Sequence, residues 1–260
     1  MQRAKSLKEN LQNNIPTIGS WLQLDSSTVA EIMVHCGFDW LVIDLEHSAT
    51  TLAQAQEMIR VIDLAGCVPL VRVSTNDPTL IKRVMDAGAY GVIVPMVNSA
   101  QEALAAVSAV RYPPTGTRGV GLWRAQGYGR SFAEYQEWLE HESVLVVQIE
   151  HIRAVENIEG ILAVPGVDAF IVGPYDLSGS LGVPGELEHP DVVGALARVE
   201  DVARRVGKTA GYHVVDIRPE PVLEKLAAGY HFLAYGADML FLAEAARAGM
   251  GVLWESIAAR

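Results

Sequence analysis

A (β/α)8 barrel is the fold class that the sequence predicts, and three observations predict it. Eight short runs rich in β-branched and other apolar residues recur along the chain. Amphipathic segments separate these runs, and each strand–helix unit spans roughly 30 residues. The chain has 260 residues, close to the length of about 250 residues that is typical of such a barrel. A doubly wound open sheet is the alternative fold with the same alternation.

The predicted strands are the apolar runs that turn-forming residues bound on both sides. They are expected at residues 17–22, 40–44, 68–73, 91–97, 143–150, 169–173, 209–214 and 232–235. Most of the predicted helices follow a Ser, Thr or Asp cap and stop near a glycine, as residues 78–87 do between Asp77 and Gly88. Helices are expected at residues 27–37, 52–65, 78–87, 99–110, 154–163, 191–206, 219–228 and 237–248. No linker, tandem repeat or low-complexity tract divides the sequence, so residues 1–260 are expected to form one domain.

A long connection at residues 111–142 departs from this regular pattern. It is rich in Gly and Pro, and a short helix is expected within it at residues 132–139. Connections of this length are commonly lids or contact surfaces. Its arginines Arg118, Arg124 and Arg130 are candidates for contact with an anionic substrate or a neighbouring subunit. The alternative is a solvated excursion without a function.

Composition excludes several classes of partner. The formal net charge of −11 argues against nucleic acid or an anionic membrane, because both attract basic surfaces. No apolar stretch approaches the ~20 residues of a membrane span, and residues 1–6 are polar and lack an apolar signal core. The two cysteines, Cys36 and Cys67, match no metal or redox spacing and are expected to be reduced and partly buried. We expect a cytoplasmic protein that acts on small molecules.

Two carboxylates follow apolar runs that are close in sequence. Glu150 ends the fifth predicted strand, and Asp176 follows the sixth. Catalytic groups of a barrel gather at the carboxyl ends of its strands, so both acids are expected there on neighbouring strands. Carboxylates and waters suit Mg²⁺ or Mn²⁺. Gly173 and Pro174 before Asp176 leave room for a ligand, whereas the alternative is that both acids cap helices.

Two polar residues accompany these acids on predicted strands. Gln148 lies two residues before Glu150, so both side chains point to the same face of the strand. Its amide is expected to donate a hydrogen bond to a substrate carbonyl, or else to act structurally within the barrel. Arg72 ends the third strand and offers a planar guanidinium to a carboxylate or an enolate. The alternative for Arg72 is a structural ion pair with Asp44 or Glu46.

Two histidines lie at strand ends. His47 follows the second strand, and an imidazole there suits proton transfer near neutral pH; a capping or surface role is the alternative. His213 ends the seventh strand in a comparable setting. Lysines suited to a Schiff base are not expected at inward strand ends, since Lys82, Lys208 and Lys225 fall on helices or helix ends.

The chain resembles the metal-dependent (class II) 2-oxo-acid aldolases of the HpcH/HpaI family. That family includes 4-hydroxy-2-oxoheptanedioate, 2-dehydro-3-deoxyglucarate and 2-keto-3-deoxy-L-rhamnonate aldolases. The resemblance runs from about Ile18 to about Gly249 and rests on five motifs in the same order. These are Gly37-Phe38-Asp39-Trp40 with Ile43-Asp44-Leu45-Glu46-His47, Val71-Arg72-Val73 with Asn76-Asp77-Pro78 and Ile81-Lys82, Arg111-Tyr112-Pro113-Pro114 with Arg118-Gly119, Gln148-Ile149-Glu150, and Gly173-Pro174-Tyr175-Asp176-Leu177.

The resemblance implies a barrel of the phosphoenolpyruvate/pyruvate type, assembled as a hexamer (a trimer of dimers) with the last helix packed on a neighbouring subunit. It implies that Glu150 and Asp176 bind the divalent ion, which would be Mg²⁺, Mn²⁺ or Co²⁺. Gln148 and Arg72 match the groups that contact pyruvate.

The remaining positions of the resemblance concern proton transfer and the aldehyde. His47 matches the catalytic histidine, and Asp86 matches an acid that pairs with that histidine across a subunit interface. Tyr175 and His213 differ from the residues that relatives often carry. Both are expected to bind substrate, with Gly173 and Pro174, and both bear on the identity of the aldehyde.

The function expected from these residues is reversible cleavage of a 4-hydroxy-2-oxo acid to pyruvate, or a related 2-oxo acid, and an aldehyde through a metal-stabilised enolate. One alternative is an oxaloacetate decarboxylase or a CoA-ester lyase that forms the same enolate. The other is a barrel that binds sugar acids without catalysis.

Overall fold

A closed barrel of eight parallel strands forms the centre of the protein, in the order β1 to β8. The computed structural model describes residues 6–259, so the predicted polar start at residues 1–5 lies outside the described residues. The predicted fold class is confirmed, and the open-sheet alternative is wrong. The strands are β1 Thr17–Leu22, β2 Trp40–Asp44, β3 Val68–Arg72, β4 Gly91–Val94, β5 Val144–Ile149, β6 Ala169–Val172, β7 Thr209–Val214 and β8 Phe232–Ala237.

Helices surround the barrel, and most follow the predicted bounds. They are α1 Leu7–Gln12, α2 Ser27–His35, α3 Leu52–Leu64, α4 Pro78–Ala87, α5 Ala100–Val110, α6 Phe132–His141, α7 Ile152–Glu156, α8 Ile158–Leu162, α9 Pro174–Ser180, α10 Pro190–Val206, α11 Glu220–Ala227 and α12 Asp238–Ala258. The single helix predicted at residues 154–163 is wrong, because the chain breaks at Asn157 into α7 and α8. The last helix is longer than predicted, and α1 and α9 were not predicted.

Two apolar layers hold the barrel together. One lies between the strands and the outer helices. The other fills the barrel interior, where Trp40 stacks on Phe232 with ring centroids 4.1 Å apart. Helix α1 covers the amino-terminal end of the barrel, and its Leu7 and Leu11 join the interior layer. Because this end is plugged, substrate access is left to the carboxyl end of the strands.

The connection at residues 111–142 is folded against the outer helices, and the predicted role of Arg118 is wrong. The Arg118 side chain is fully buried and forms an ion pair with Asp86 at 2.5 Å. Its guanidinium also lies over the rings of Tyr112 and Tyr135. Arg118 therefore has no surface to offer a substrate or a neighbour. Arg124 is bound to Asp63 in an ion pair, and Arg130 is exposed.

Helix α12 differs from the others in what it exposes. Its exposed apolar side chains include Leu242, Val252, Leu253, Trp254 and Ile257, whereas Asp238 at its first turn is buried. Of the helices described between residues 6 and 259, none has both the length and the apolar character needed to cross a membrane.

Cys36 is exposed and Cys67 is buried, and both are free thiols, so the expected partial burial is wrong for Cys36.

Candidate functional site

A cavity of about 230 Å³ opens at the carboxyl end of the barrel and collects most of the predicted site residues. The predicted residues on its wall are His47, Arg72, Gln148, Gly173, Pro174, Tyr175, Asp176 and His213. They come from five different strands or from the turns that follow them. Residues far apart in sequence meet here because all eight strands run in the same direction.

A wider cleft of about 650 Å³ lies at the opposite end of the barrel. Its cations serve the framework: Lys8 Nζ donates to the Ser143 carbonyl at 2.9 Å and lies 3.2 Å from Asp168. Lys208 Nζ donates to the Val167 carbonyl at 2.5 Å. These bonds anchor the chain where β5, β6 and β7 begin, so we assign this cleft to stability.

Glu150 is fixed directly after β5 and is only 3% exposed. Its Oε1 accepts a hydrogen bond from the Met96 backbone N–H at 2.7 Å, and its Oε2 accepts one from Gln148 Nε2. Gly173 allows this arrangement, since a Cβ there would lie 2.8 Å from Glu150 Oε2. The strand β5 thus presents Gln148 and Glu150 together, as their spacing predicts.

Asp176 lies in the first turn of α9, one step beyond the strand end at which it was predicted. It is close enough to act electrostatically on Glu150 and on Glu46. Burial raises the pKa of Glu150 to about 7, with further contributions from the charges of Glu46 and Asp176. Burial also raises the pKa of Glu46 to about 7, opposed by Arg72 and assisted by Asp44 and Asp176. The carboxylates therefore crowd one another without sufficient positive charge.

This arrangement suits a divalent cation. Glu46 Oε2 and Gln148 Oε1 are buried and accept no hydrogen bond, so the site contains acceptor atoms without donors. In residues 6–259 no three His, Cys, Asp or Glu side chains converge tightly enough to enclose a metal ion. Two carboxylates with positions left for water and substrate oxygens match the way Mg²⁺ is commonly bound. Glu150 and Asp176 fit such an ion.

Arg72 forms the ion pair that the sequence offered as its structural alternative, and its expected contact with a substrate stays a prediction. Its Nε and Nη2 donate to the two oxygens of Asp44 at 2.9 and 2.7 Å, and its Nε lies 3.3 Å from Glu46 Oε2. Its guanidinium is also stacked over the Trp21 ring, 4.2 Å from the centroid, and lines the cavity. Burial opposes ionisation of Asp44, but hydrogen bonds and charge from Arg72 lower its pKa below the usual range. The ion pair thus orients a guanidinium toward the ligand space.

The two histidines occupy different environments in the cavity. The His47 side chain is 57% exposed, and its Nε2 lies 3.8 Å from Glu46 Oε2. His213 Nε2 lies 3.1 Å from the Gly236 carbonyl oxygen, and its ring centroid is 5.2 Å from that of Trp21. Burial lowers the pKa of His213 to about 4, so this imidazole is neutral at physiological pH.

Asp86 does not join the cavity within this chain. It lies on α4, and Arg118 Nη2 donates to its Oδ1 at 2.5 Å. A Cβ at Gly121 would lie 3.0 Å from its other carboxylate oxygen, Oδ2. Asp86 is therefore held by a buried arginine, with its own side chain only 16% exposed, and its expected pairing with a histidine across a subunit interface stays a prediction.

The structure adds site residues that sequence reasoning missed. Trp21 lines the cavity from β1, and Gln23 lies beside it and donates to Asp44 at 3.1 Å. Asp44 and Glu46 had been considered only as partners of Arg72. One signal was available: Asp44 and Arg72 are register partners on adjacent strands, so two opposite charges at matching strand ends could have been placed in contact.

Comparison with known proteins agrees with this geometry. A family model described as HpcH/HpaI aldolase/citrate lyase matches residues 17–245. The hydroxypyruvate/pyruvate aldolase of Paraburkholderia phytofirmans is 39% identical over 248 residues, covering 93% of this chain and 94% of that protein. The 2-keto-3-deoxy-L-rhamnonate aldolase of Klebsiella pneumoniae is 39% identical over 240 residues, covering 92% and 89%.

A solved structure shows the same fold at similar coverage. The crystal structure of a HpcH/HpaI aldolase/citrate lyase family protein from Burkholderia cenocepacia superposes with a TM-score of 0.90 at 35% sequence identity, covering 95% of this chain and 98% of that one. The match extends over the barrel and over the segments that carry the cavity residues. The chain belongs to the HpcH/HpaI aldolase/citrate lyase family.

Proposed function

We propose that the protein is a divalent-metal-dependent aldolase that reversibly cleaves a 4-hydroxy-2-oxo acid to pyruvate, or a related 2-oxo acid, and an aldehyde. One observation supports the proposal: Arg72, Gln148 and Asp176 line one small cavity, and Glu150 lies behind it, bound to Gln148 and within electrostatic reach of Asp176. Relatives at 39% identity are named as aldolases, which supports carbon–carbon bond cleavage as the reaction.

The binding residues orient the 2-oxo acid. We assign the divalent ion to Glu150 and Asp176, and when bound it supplies Lewis acidity to the developing negative charge on the substrate. Arg72, held by Asp44, offers a second positive contact to the substrate's carboxylate or 2-oxo oxygen. Gln148 donates to the same end of the substrate with the second N–H of its amide, because the first is bonded to Glu150.

His47 handles the proton of the 4-hydroxyl group. In the cleavage direction its imidazole accepts that proton, the C3–C4 bond breaks, C4 becomes the aldehyde carbon, and the electron pair stays with C3. Protonation of C3 then gives the methyl group of pyruvate. The exposure of the His47 side chain leaves it accessible for return of the proton in condensation.

The experiment that tests this function measures pyruvate release from a set of 4-hydroxy-2-oxo acids. Treatment with EDTA is expected to abolish release, and Mg²⁺, Mn²⁺ or Co²⁺ is expected to restore it. Glu150→Ala is expected to lose Mn²⁺ binding in calorimetry, whereas His47→Ala is expected to retain binding and lose turnover. Unchanged Mn²⁺ binding by Glu150→Ala would remove the metal assignment.

We also propose that the enzyme is a cytoplasmic homo-oligomer, with a hexamer built as a trimer of dimers. The exposed apolar side chains of α12, among them Trp254 and Ile257, support burial of this helix against a neighbouring subunit. In such an assembly Asp86 is proposed to pair with His47 of another copy. Light scattering coupled to size exclusion tests the assembly, and a monomer at micromolar concentration would contradict it.

A further inference from the structure

One part of the cavity wall is not used by the chemistry of the 2-oxo acid. It is formed by His213 at the end of β7, Val215 after it, and residues at and beyond the end of β8. The apolar members of this part are Val215, Ala237, Met239 and Leu240. The whole cavity measures about 230 Å³, below the roughly 300–1,000 Å³ of typical ligand pockets. This space, which the 2-oxo acid also enters, fits a small second substrate.

The hydrogen bond of His213 determines which of its ring nitrogens carries the proton. The Gly236 carbonyl oxygen lies 3.1 Å from Nε2, and a carbonyl oxygen can only accept a hydrogen bond. Nε2 must therefore be protonated, which leaves Nδ1 of the neutral ring as an acceptor. No hydrogen bond from the described residues reaches this Nδ1. The Trp21 ring, with its centroid 5.2 Å away, packs beside the imidazole and restricts its rotation.

The charges around the cavity disfavour a second anionic group on the substrate. Among the described residues on the cavity wall, Arg72 is the one permanently charged cation. Asp44 already occupies two of its nitrogens, and Glu46 lies 3.3 Å from one of them. A carboxylate on the aldehyde would meet the Nδ1 lone pair of His213 without a donor. A hydroxyl group would supply the missing donor.

On the basis of the proposed function, we infer that His213 selects the aldehyde: its Nδ1 accepts a hydrogen bond from the hydroxyl group of a small, uncharged hydroxyaldehyde. The apolar residues beside it pack against the rest of that molecule. Aldehydes of the same size without the hydroxyl group leave Nδ1 unpaired, and carboxylated aldehydes bring an uncompensated charge.

The test compares glycolaldehyde with propanal, which has the same number of non-hydrogen atoms and no hydroxyl group. The ratio of their kcat/KM values in condensation with pyruvate is measured for the wild type and for His213→Leu. Because the two aldehydes differ in intrinsic reactivity, the change in the ratio is the informative quantity. We expect His213→Leu to lower the ratio about tenfold, which is the effect of one lost hydrogen bond.

Two variants accompany this measurement. His213→Asn places an amide near the position of Nδ1 and is expected to keep the ratio closer to that of the wild type. His141→Leu changes an exposed histidine of α6 and is expected to leave the ratio unaltered. The wild type is also expected to prefer the methyl ester of succinic semialdehyde to the free acid by about tenfold in kcat/KM, which tests the charge argument without any variant.

Exchange of the pyruvate methyl protons with deuterium, measured in the wild type, distinguishes a failure of the proposed aldolase function from a failure of the inference on His213. Absence of exchange and of condensation with every aldehyde overturns the aldolase function and, with it, the inference on His213. Exchange together with an unchanged ratio in His213→Leu, or with equal use of the ester and the acid, overturns the inference alone.

Discussion

Gly173→Ala tests whether the close packing of Gly173 against Glu150 is required for ion binding. An ideal Cβ at this position lies 2.8 Å from Glu150 Oε2 and 3.0 Å from Gln148 Nε2, whereas ordinary contacts begin at 3.4 Å. Glu150 must therefore retreat by about 0.6 Å, the difference between 2.8 and 3.4 Å. The backbone at Gly173 has φ −99° and ψ 89°, a negative φ that alanine tolerates, so the effect arises from the side-chain contact.

The expected magnitude follows from how firmly Glu150 is held. Its Oε1 is bonded to the Met96 backbone at 2.7 Å, so the carboxylate cannot move away from residue 173 without loosening that bond. Displaced supporting contacts at metal sites typically cost 10–100-fold in affinity, or about 1.4–2.8 kcal/mol. Calorimetric titration with Mn²⁺ in the absence of substrate measures the loss directly.

Gly179→Ala is the matched control because Gly179 lies in α9, the helix that carries Asp176. A Cβ at Gly179 meets no atom within 4 Å, so wild-type Mn²⁺ affinity is expected. Thermal unfolding of both variants checks that the barrel is intact. Equal Mn²⁺ affinity of folded Gly173→Ala and Gly179→Ala would refute the reasoning that Gly173 leaves space for the ion-binding carboxylate.

Three further predictions concern Arg72, Arg118 and His213. Arg72→Lys loses the two-point contact with Asp44, so kcat/KM for pyruvate formation is expected to fall by about 10²–10³, as steady-state kinetics would show; a change below threefold would contradict this. Arg118→Met leaves Asp86 without its partner and is expected to lower the free energy of unfolding by about 3–5 kcal/mol in urea titrations; a loss below 1 kcal/mol would contradict it. Because the pKa of His213 is lowered to about 4, the unfolded chain takes up this proton first as the pH falls below about 6.5. Stability is therefore expected to decline by up to about 1.4 kcal/mol per pH unit between about pH 6.5 and 4, and His213→Asn is expected to flatten that decline.

The strands were predictable because a barrel strand is buried on both faces. Such strands consist of consecutive apolar residues, and β2, β5 and β6 are buried along their whole length. Helix bounds were predictable where side-chain caps exist, as at Asp77, whose carboxylate accepts from the Leu80 N–H at 2.7 Å. Local chemistry and tertiary burial point to the same bounds at these positions.

Helices α1 and α9 escaped prediction because tertiary contacts hold them. Helix α9 has seven residues, two of them glycine or proline, so its intrinsic tendency to form a helix is weak. Burial of Leu177 and the Ser178 Oγ bond to the Gly185 N–H at 2.8 Å stabilise it. The sequence therefore placed Asp176 at a strand end, although the residue lies in the first turn of α9.

The sequence predicted where the acidic residues of the candidate site lie. It predicted fewer of the side chains that contact the charged residues of the site. Strand ends show where Arg72 and Glu150 lie, because charged residues interrupt apolar runs there. Neither the stacking of the Arg72 guanidinium on Trp21 nor the buried position of Arg118 follows from spacing. Both depend on side chains from elements that are distant in sequence, and such contacts leave no local pattern.

The balance of charge at the cavity gives a physical reason for a dication that does not depend on any relative. Glu46, Glu150 and Asp176 act electrostatically on one another, Asp44 acts on Glu46, and Arg72 is the cation that opposes them. Arg72 and Asp44 already neutralise each other as a buried pair. The remaining carboxylates would repel the carboxylate of a 2-oxo acid unless positive charge arrived with it. If Glu150 and Asp176 hold an ion of charge two, as we propose, that ion removes the repulsion. Binding of the 2-oxo acid, and not only its cleavage, is then expected to require the ion.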